Sequence, residues 1–303
     1  MRDAFSNELI KLVSKDPKVI LLTGDHGYGL FDTLRKKHGD QYLNMGVAEQ
    51  NMIGVAAGLS RSGFKPFVYA LSCFVPVRVL EQIKIDVCHD NLPVIFLGDG
   101  AGFVYSHLGT SHQSTEDIAV TRAIPNLIIL SPSDRFEMIS CMNLAYDSKL
   151  SVYLRIGKSD LGDIHKNLPA LKFGDLLNIR SNQSKIHFIA TGSMVKTALN
   201  VAEEFDNASV SSAPCLKPIN KEQVLEICNN NEIVITLEEH SIYGGLGSII
   251  SEIASETSKA KVLRIGVEDR FTEYCGTYEY LLKELGLDLS SVRSKIKNFL
   301  HKV

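Results

Sequence analysis

Short β-branched runs alternate along the chain with amphipathic stretches of helix length, the pattern of parallel sheets wrapped by helices. The apolar runs predict strands at 19–23, 65–70, 94–97, 127–130 and 152–156, with helices near 48–62, 77–89, 115–124 and 134–147. The opening stretch, MRDAFSNELIKLVSKD, reads as an amphipathic helix. After Gly157 the periodicity lapses through 159–184, where Gly162, Pro169 and Gly174 interrupt it. A second series then begins, with strands expected at 186–190, 208–212, 233–237 and 262–265 and helices near 194–205, 221–229, 246–255 and 278–285. The expected organisation is two consecutive open-sheet α/β domains, 1–160 and 185–303, joined by a linker at 161–184.

Composition narrows the partners. With 303 residues, 45% of them hydrophobic, the chain exceeds what one core usually serves. A net charge of -3 with scattered Lys and Arg argues against nucleic acid or an anionic membrane as the main partner. Cys73, Cys88, Cys141, Cys215, Cys228 and Cys275 form no CxxC pair and read as reduced packing residues of a cytoplasmic protein. No apolar run approaches the length that spans a bilayer.

The chemistry concentrates in Asn44 to Gly63, NMGVAEQNMIGVAAGLSRSG. Gly46, Ala48, Gly54, Ala56, Ala57 and Gly58 permit close packing, and Met52, Ile53, Val55 and Leu59 leave the helix apolar on most sides, so it is expected to be buried. Glu49 at its beginning must then be paired, hydrogen-bonded or protonated, because an isolated buried charge costs several kcal/mol. A first-turn glutamate also serves the helix macrodipole without any further role.

Val47-Ala48-Glu49-Gln50-Asn51 closely resembles the pyrimidine-binding domain of transketolases and deoxyxylulose-phosphate synthases. The resemblance implies that Glu49 hydrogen-bonds a ring nitrogen of thiamine diphosphate's aminopyrimidine and favours the imino tautomer that activates the thiazolium carbon. It implies that Phe74, followed by Arg78-Val79-Leu80-Glu81-Gln82, stacks on the pyrimidine, with Arg78 beside the cofactor; alone, Phe74 reads as a core aromatic and Arg78–Glu81 as a solvated pair. Gly109-Thr110-Ser111-His112-Gln113 resembles the family's histidine loop, which makes His112 a catalytic and substrate-binding candidate. By the same resemblance Arg155 binds a sugar phosphate. Thr236-Leu237-Glu238-Glu239-His240 and Gly244-Gly245-Leu246-Gly247-Ser248 look like the family's C-terminal domain, read as structural and dimerising; the glycine-rich turn is only a weak hint of phosphate binding.

Family members carry a preceding domain that binds the diphosphate and a metal through GDG and a downstream Asn. Gly98-Asp99-Gly100 with Asn126 fits that spacing but follows the AEQ segment, whereas the metal motif precedes it. The resemblance thus implies a shared thiamine diphosphate, with Mg²⁺ or a similar cation held by an N-terminal-half partner subunit in a heterotetramer of two of each chain. Leu108, after His107, stands where relatives carry an acid, Gly100 where a histidine is common, and Leu80 where many have a ring. Asp25 is kept in Gly24-Asp25-His26-Gly27-Tyr28-Gly29 while nearby serines are not, which makes Asp25, His26 and His107 substrate-binding candidates. These departures point to a ketol transfer in which one sugar is not an ordinary pentose phosphate but a modified or nucleotide-linked one. The alternatives are a deoxyxylulose-phosphate synthase-like or 2-oxo acid dehydrogenase β-type subunit, and a non-catalytic dimerising scaffold.

Overall fold

The computed structural model describes residues 1–205 and 208–302. Twelve strands form two open sheets: β1 Val19–Thr23, β2 Tyr42–Asn44, β3 Lys65–Leu71, β4 Ile95–Asp99, β5 Leu127–Leu130, β6 Ser151–Ile156, β7 Leu177–Arg180, β8 Ile186–Ala190, β9 Ser209–Ser212, β10 Cys215–Lys217, β11 Ile233–Ser241 and β12 Lys261–Val267. The helices are α1 Arg2–Lys15, α2 Asp32–Lys37, α3 Glu49–Arg61, α4 Leu80–Gln82, α5 Asp117–Arg122, α6 Arg135–Asp147, α7 Met194–Ala202, α8 Lys221–Asn230, α9 Leu246–Thr257, α10 Tyr278–Glu284 and α11 Leu289–Leu300. The first sheet runs β10-β5-β6-β4-β3-β1-β2 and the second β12-β11-β8-β9-β7. Both are parallel except at one edge, where β10 and β7 run antiparallel to their neighbours.

Strands β1, β4, β5 and β6 are buried along their whole length, which explains their unbroken apolar runs. On one face of the first sheet, α1 and α6 bury Phe5, Leu9, Met138 and Met142 against Phe67, Tyr69 and Leu154. On the other, Met52, Ile53, Ala56 and Ala57 of α3 pack on Leu22, Val68 and Phe96, and that core continues into Val224, Ile249 and Ile250 of the second half.

Three expectations change. The stretch 161–184 is not linker throughout, because β7 within it closes the second sheet antiparallel to β9. The division at 185 is crossed by β10, which leaves the second half to pair with β5 of the first sheet; there Lys217 donates Nζ to the Arg122 carbonyl 2.9 Å away. The α3 helix is buried on one face only. Its apolar residues recur at i, i+1 and i+4, a single stripe, while Gln50, Gly54 and Gly58 repeat every four residues along an exposed face.

Candidate functional site

Parallel sheets present functional loops at the carboxyl ends of their strands, and β4, β3, β1 and β2 lie side by side with those ends together. Asn44 closes β2 and the chain turns into α3, whose first residue is Glu49. Beyond β3 comes Phe74, and beyond β1 come Asp25 and His26. Beyond β4 a loop is pinched shut where Gly102 and Ser114 exchange backbone hydrogen bonds of 2.9 and 3.0 Å, and it carries His107 and His112.

Glu49 is only 2% exposed. Its Oε2 accepts a 3.1 Å bond from Arg78 Nη1, while its Oε1 is buried with no hydrogen-bond partner among the described residues. The requirement that a buried carboxylate be paired is therefore met by half, and the partner is Arg78, which the sequence offered equally to Glu81. The Arg78 guanidinium also lies 4.0 Å from the Phe74 ring centroid. His112 meets Phe74 edge-on at 5.4 Å and His26 lies 6.3 Å from the same ring. Thus Glu49, Arg78, Phe74, His112 and His26, scattered over 87 positions from His26 to His112, form one cluster.

Asp25 joins the rim of this cluster. Asn44 donates to its carboxylate at 3.1 Å and accepts from its backbone N–H at 3.2 Å, and the Tyr28 hydroxyl donates to the same carboxylate. Asn44 also accepts from the Gly46 N–H at 2.9 Å, tying Asp25 to the turn that starts α3. His107 lies exposed in the turn Ser106–Leu108, with no hydrogen bond tying it to the cluster among the described residues.

Arg155 is not at this site. Its side chain is 2% exposed and its donors are committed: Nε to Asp117 at 2.7 Å, Nη2 to the carbonyls of Glu239 at 2.8 Å and Ser114 at 3.2 Å. It cross-links the two halves of the chain and has no free fork to offer a phosphate. Buried strand positions of this kind favour an internally paired guanidinium.

The GDG lookalike is also accounted for internally. Asp99 accepts from the hydroxyls of Tyr69 at 2.7 Å and Tyr105 at 2.8 Å, and Arg2 Nε lies 3.4 Å away. Asn126 donates to the Cys88 carbonyl. Gly100 has φ +80°, and the Tyr105 ring fills the space a Cβ would need. A side chain at 100 is therefore excluded on two counts, and an aromatic five residues on occupies its volume. Tyr105 was missed in the sequence because nothing in its spacing marks it.

The Glu238-Glu239-His240 block and the glycine-rich turn are one construction. Glu238 accepts from the N–H groups of Leu246 at 2.7 Å and Gly247 at 2.8 Å, so the anion at the start of α9 is the chain's own carboxylate. Burial raises that carboxyl to about 7 against those two bonds. Burial lowers His240 to about 4; it donates Nδ1–H to the Ser241 carbonyl and accepts the Ala119 N–H at Nε2. The weak hint of a phosphate loop is corrected accordingly.

Comparison with known proteins places both halves. The family model described as transketolase, pyrimidine binding domain, matches residues 1–163, and that described as transketolase, C-terminal domain, matches 175–292. The 1-deoxy-D-xylulose-5-phosphate synthase of Pasteurella multocida (strain Pm70) is 34% identical over 300 residues, covering 98% of this chain and 48% of that enzyme. The chain spans about half the length of such relatives. One subunit of the apulose-4-phosphate transketolase of Phocaeicola vulgatus is 30% identical over 306 residues, covering 99% of this chain and 97% of its own length. A solved structure described as a split gene transketolase, inactive beta4 tetramer, superposes with a TM-score of 0.90 at 31% identity, covering 98% of this chain and 97% of that one.

Proposed function

The chain belongs to the transketolase family through its pyrimidine-binding and C-terminal domains, and from that premise we propose that it is the cofactor-activating half of a split, thiamine diphosphate-dependent transketolase. The observation that carries this reading is the Glu49 carboxylate, buried with one oxygen on Arg78 and the other without a partner among the described residues. A buried acceptor left open in a well-packed fold costs ~1–3 kcal/mol unless a bound group meets it. The aminopyrimidine, with a protonated ring nitrogen and a flat apolar face, fits the free oxygen and the adjacent Phe74 ring.

Thiamine diphosphate supplies the carbon nucleophile that takes up and delivers the two-carbon unit. The chain's own residues then have distinct tasks. Glu49 Oε1 accepts and holds a proton at the ring nitrogen, and Arg78 keeps the opposite oxygen fixed and the charge compensated. Phe74 supports the ring, and His112, edge-on to it, faces the substrate oxygens. Asp25, His26 and His107 line the rim where sugar hydroxyls arrive. Arg155 is left out of substrate binding. The diphosphate and a divalent cation such as Mg²⁺ come from an N-terminal-half subunit, in a cytoplasmic assembly of two of each chain.

Two things support a partner: the chain covers about half of the full-length relatives, and the solved split-gene relative is described as an inactive beta4 tetramer. Leu108 and the Tyr105 ring packed over Gly100 support a sugar other than the ordinary pentose phosphates as one substrate. A second reading, a deoxyxylulose-phosphate synthase-like subunit, is favoured by the 34% identity to that enzyme.

The test is reconstitution with the chain that carries GDG and a downstream Asn. The expected result is that either chain alone is inactive, the pair transfers ketol units from sugar phosphates when thiamine diphosphate is present, and Glu49→Gln lowers turnover at least ~10²-fold while the chains still co-purify. CO2 released from pyruvate by the pair would favour the second reading. Full activity in Glu49→Gln would sink both.

A further inference from the structure

The loop that bears His112 is encoded by the first half of the chain but seated in the second. Its neck is closed by the Gly102–Ser114 bridge. Just beyond the neck, Phe103 is 1% exposed, and its ring belongs to the second half's core with Phe188, Met194, Ile235 and Leu281. The Phe103 N–H donates to Glu239 Oε1 at 2.6 Å, while Glu239 Oε2 takes the hydroxyls of Tyr278 at 2.6 Å and Ser193. At the other foot, Ser241 donates its N–H to the Thr115 carbonyl at 2.7 Å. Next to His112 itself, Gln113 is buried and its side-chain amide pairs with the Thr272 hydroxyl, Nε2 at 3.1 Å and Oε1 at 3.2 Å, across 159 residues of sequence.

We propose that the C-terminal domain is a positioning device for the candidate catalytic histidine, with Thr272, acting through Gln113, setting where His112 stands against Phe74. Glu239 and Phe103 fix the first foot of the loop, Thr272 and Ser241 the second, so that the 5.4 Å edge-on contact between His112 and Phe74 depends on the domain otherwise read as structural. The proposal rests on His112 being the residue that meets substrate, as argued above, but the placement of its ring is measurable without any reaction. Thr272 is the place to test it, because it is only half-buried and its hydroxyl can be removed without changing its shape.

The experiment has two arms. In the full chain, the imidazole Cε1–H signal of His112, assigned by its loss in His112→Asn, is shifted by the ring current of Phe74. Thr272→Val should move or broaden that signal, leave those of His165 and His187 in place, and leave the melting transition within a degree or two. Thr272→Ser should restore it. In the reconstituted pair, Thr272→Val should lower kcat/KM by ~10- to ~100-fold with cofactor affinity unchanged, the range expected of a displaced catalytic group. An unmoved His112 signal in Thr272→Val overturns the proposal, as does a moved signal with full turnover. Full turnover in His112→Asn instead removes the catalytic reading of His112 and leaves the positioning measured in the first arm standing.

Discussion

A single buried side chain in this protein is defined by what its polar atoms find, and the two histidines sealed into the second half show it. His187, hydrogen-bonded at 2.8 Å to Ser211, and His240 are both lowered to about 4 by burial. Each stays neutral in the fold while its unfolded counterpart, near 6.5, takes up a proton as pH falls. Stability is therefore lost from about pH 6.5 down to about 4, because the unfolded state binds more protons there. Glu238, raised to about 7, works the other way between 7 and 4.5 and offsets one of the two. A shift of this size in one histidine is worth ~2 kcal/mol between pH 7 and 5, at about 1.36 kcal/mol per unit. We expect denaturant unfolding to show wild type losing ~2 kcal/mol more than His187→Gln on that change of pH. Equal losses in the two would show that His187 protonates as readily in the fold as outside it.

At the scale of elements, Gly245 shows how tightly a turn can be specified. Its φ of -85° suits any residue, so backbone freedom is not why glycine stands there. An added Cβ would overlap the Glu238 carboxylate that caps α9 and crowd His240. Gly245→Ala should cost ~1–3 kcal/mol through that overlap alone, read as a lowered melting temperature; a neutral variant would mean that Glu238 swings aside freely. Here the sequence showed a glycine-rich turn before a helix but could not show which anion it meets, because Glu238 lies seven residues upstream on a strand. The same distinction runs through the fold. The long apolar strands β1, β4, β5 and β6 were legible from their runs, since both faces are buried. The short edge strands β2, β7 and β10, and the helices α2 and α11, were not. Three or four half-exposed residues leave no periodic signal, and the partner that makes β10 a strand comes from the other sheet. The site was legible as motifs. The pairing of Arg78 with Glu49 and the role of Thr272 were not, being contacts between residues 29 and 159 apart.

For the molecule as a whole, the question is what joins two sheets that each have their own core, and Arg155 answers it. From the middle of β6 it binds Asp117 and the Ser114 carbonyl on its own side and the Glu239 carbonyl on the other, with the Tyr153 hydroxyl completing the Asp117 pair at 2.6 Å. Asp117 is fully buried, so removing the guanidinium leaves an uncompensated carboxylate beside an unpaired carbonyl. Arg155→Met should cost ~3–5 kcal/mol, the range for a broken buried pair. Replacing both members, as Arg155→Met with Asp117→Leu, should cost less than the two single changes together, because neither charge is then stranded. The same measurement separates the two roles the residue has been given. An arginine that holds a sugar phosphate would, when replaced, raise KM in the reconstituted enzyme and leave the melting curve of the isolated chain unchanged. One that ties the halves together lowers the melting temperature of the chain by itself, before any partner or substrate is added, and the non-additivity of the pair locates that loss at Asp117.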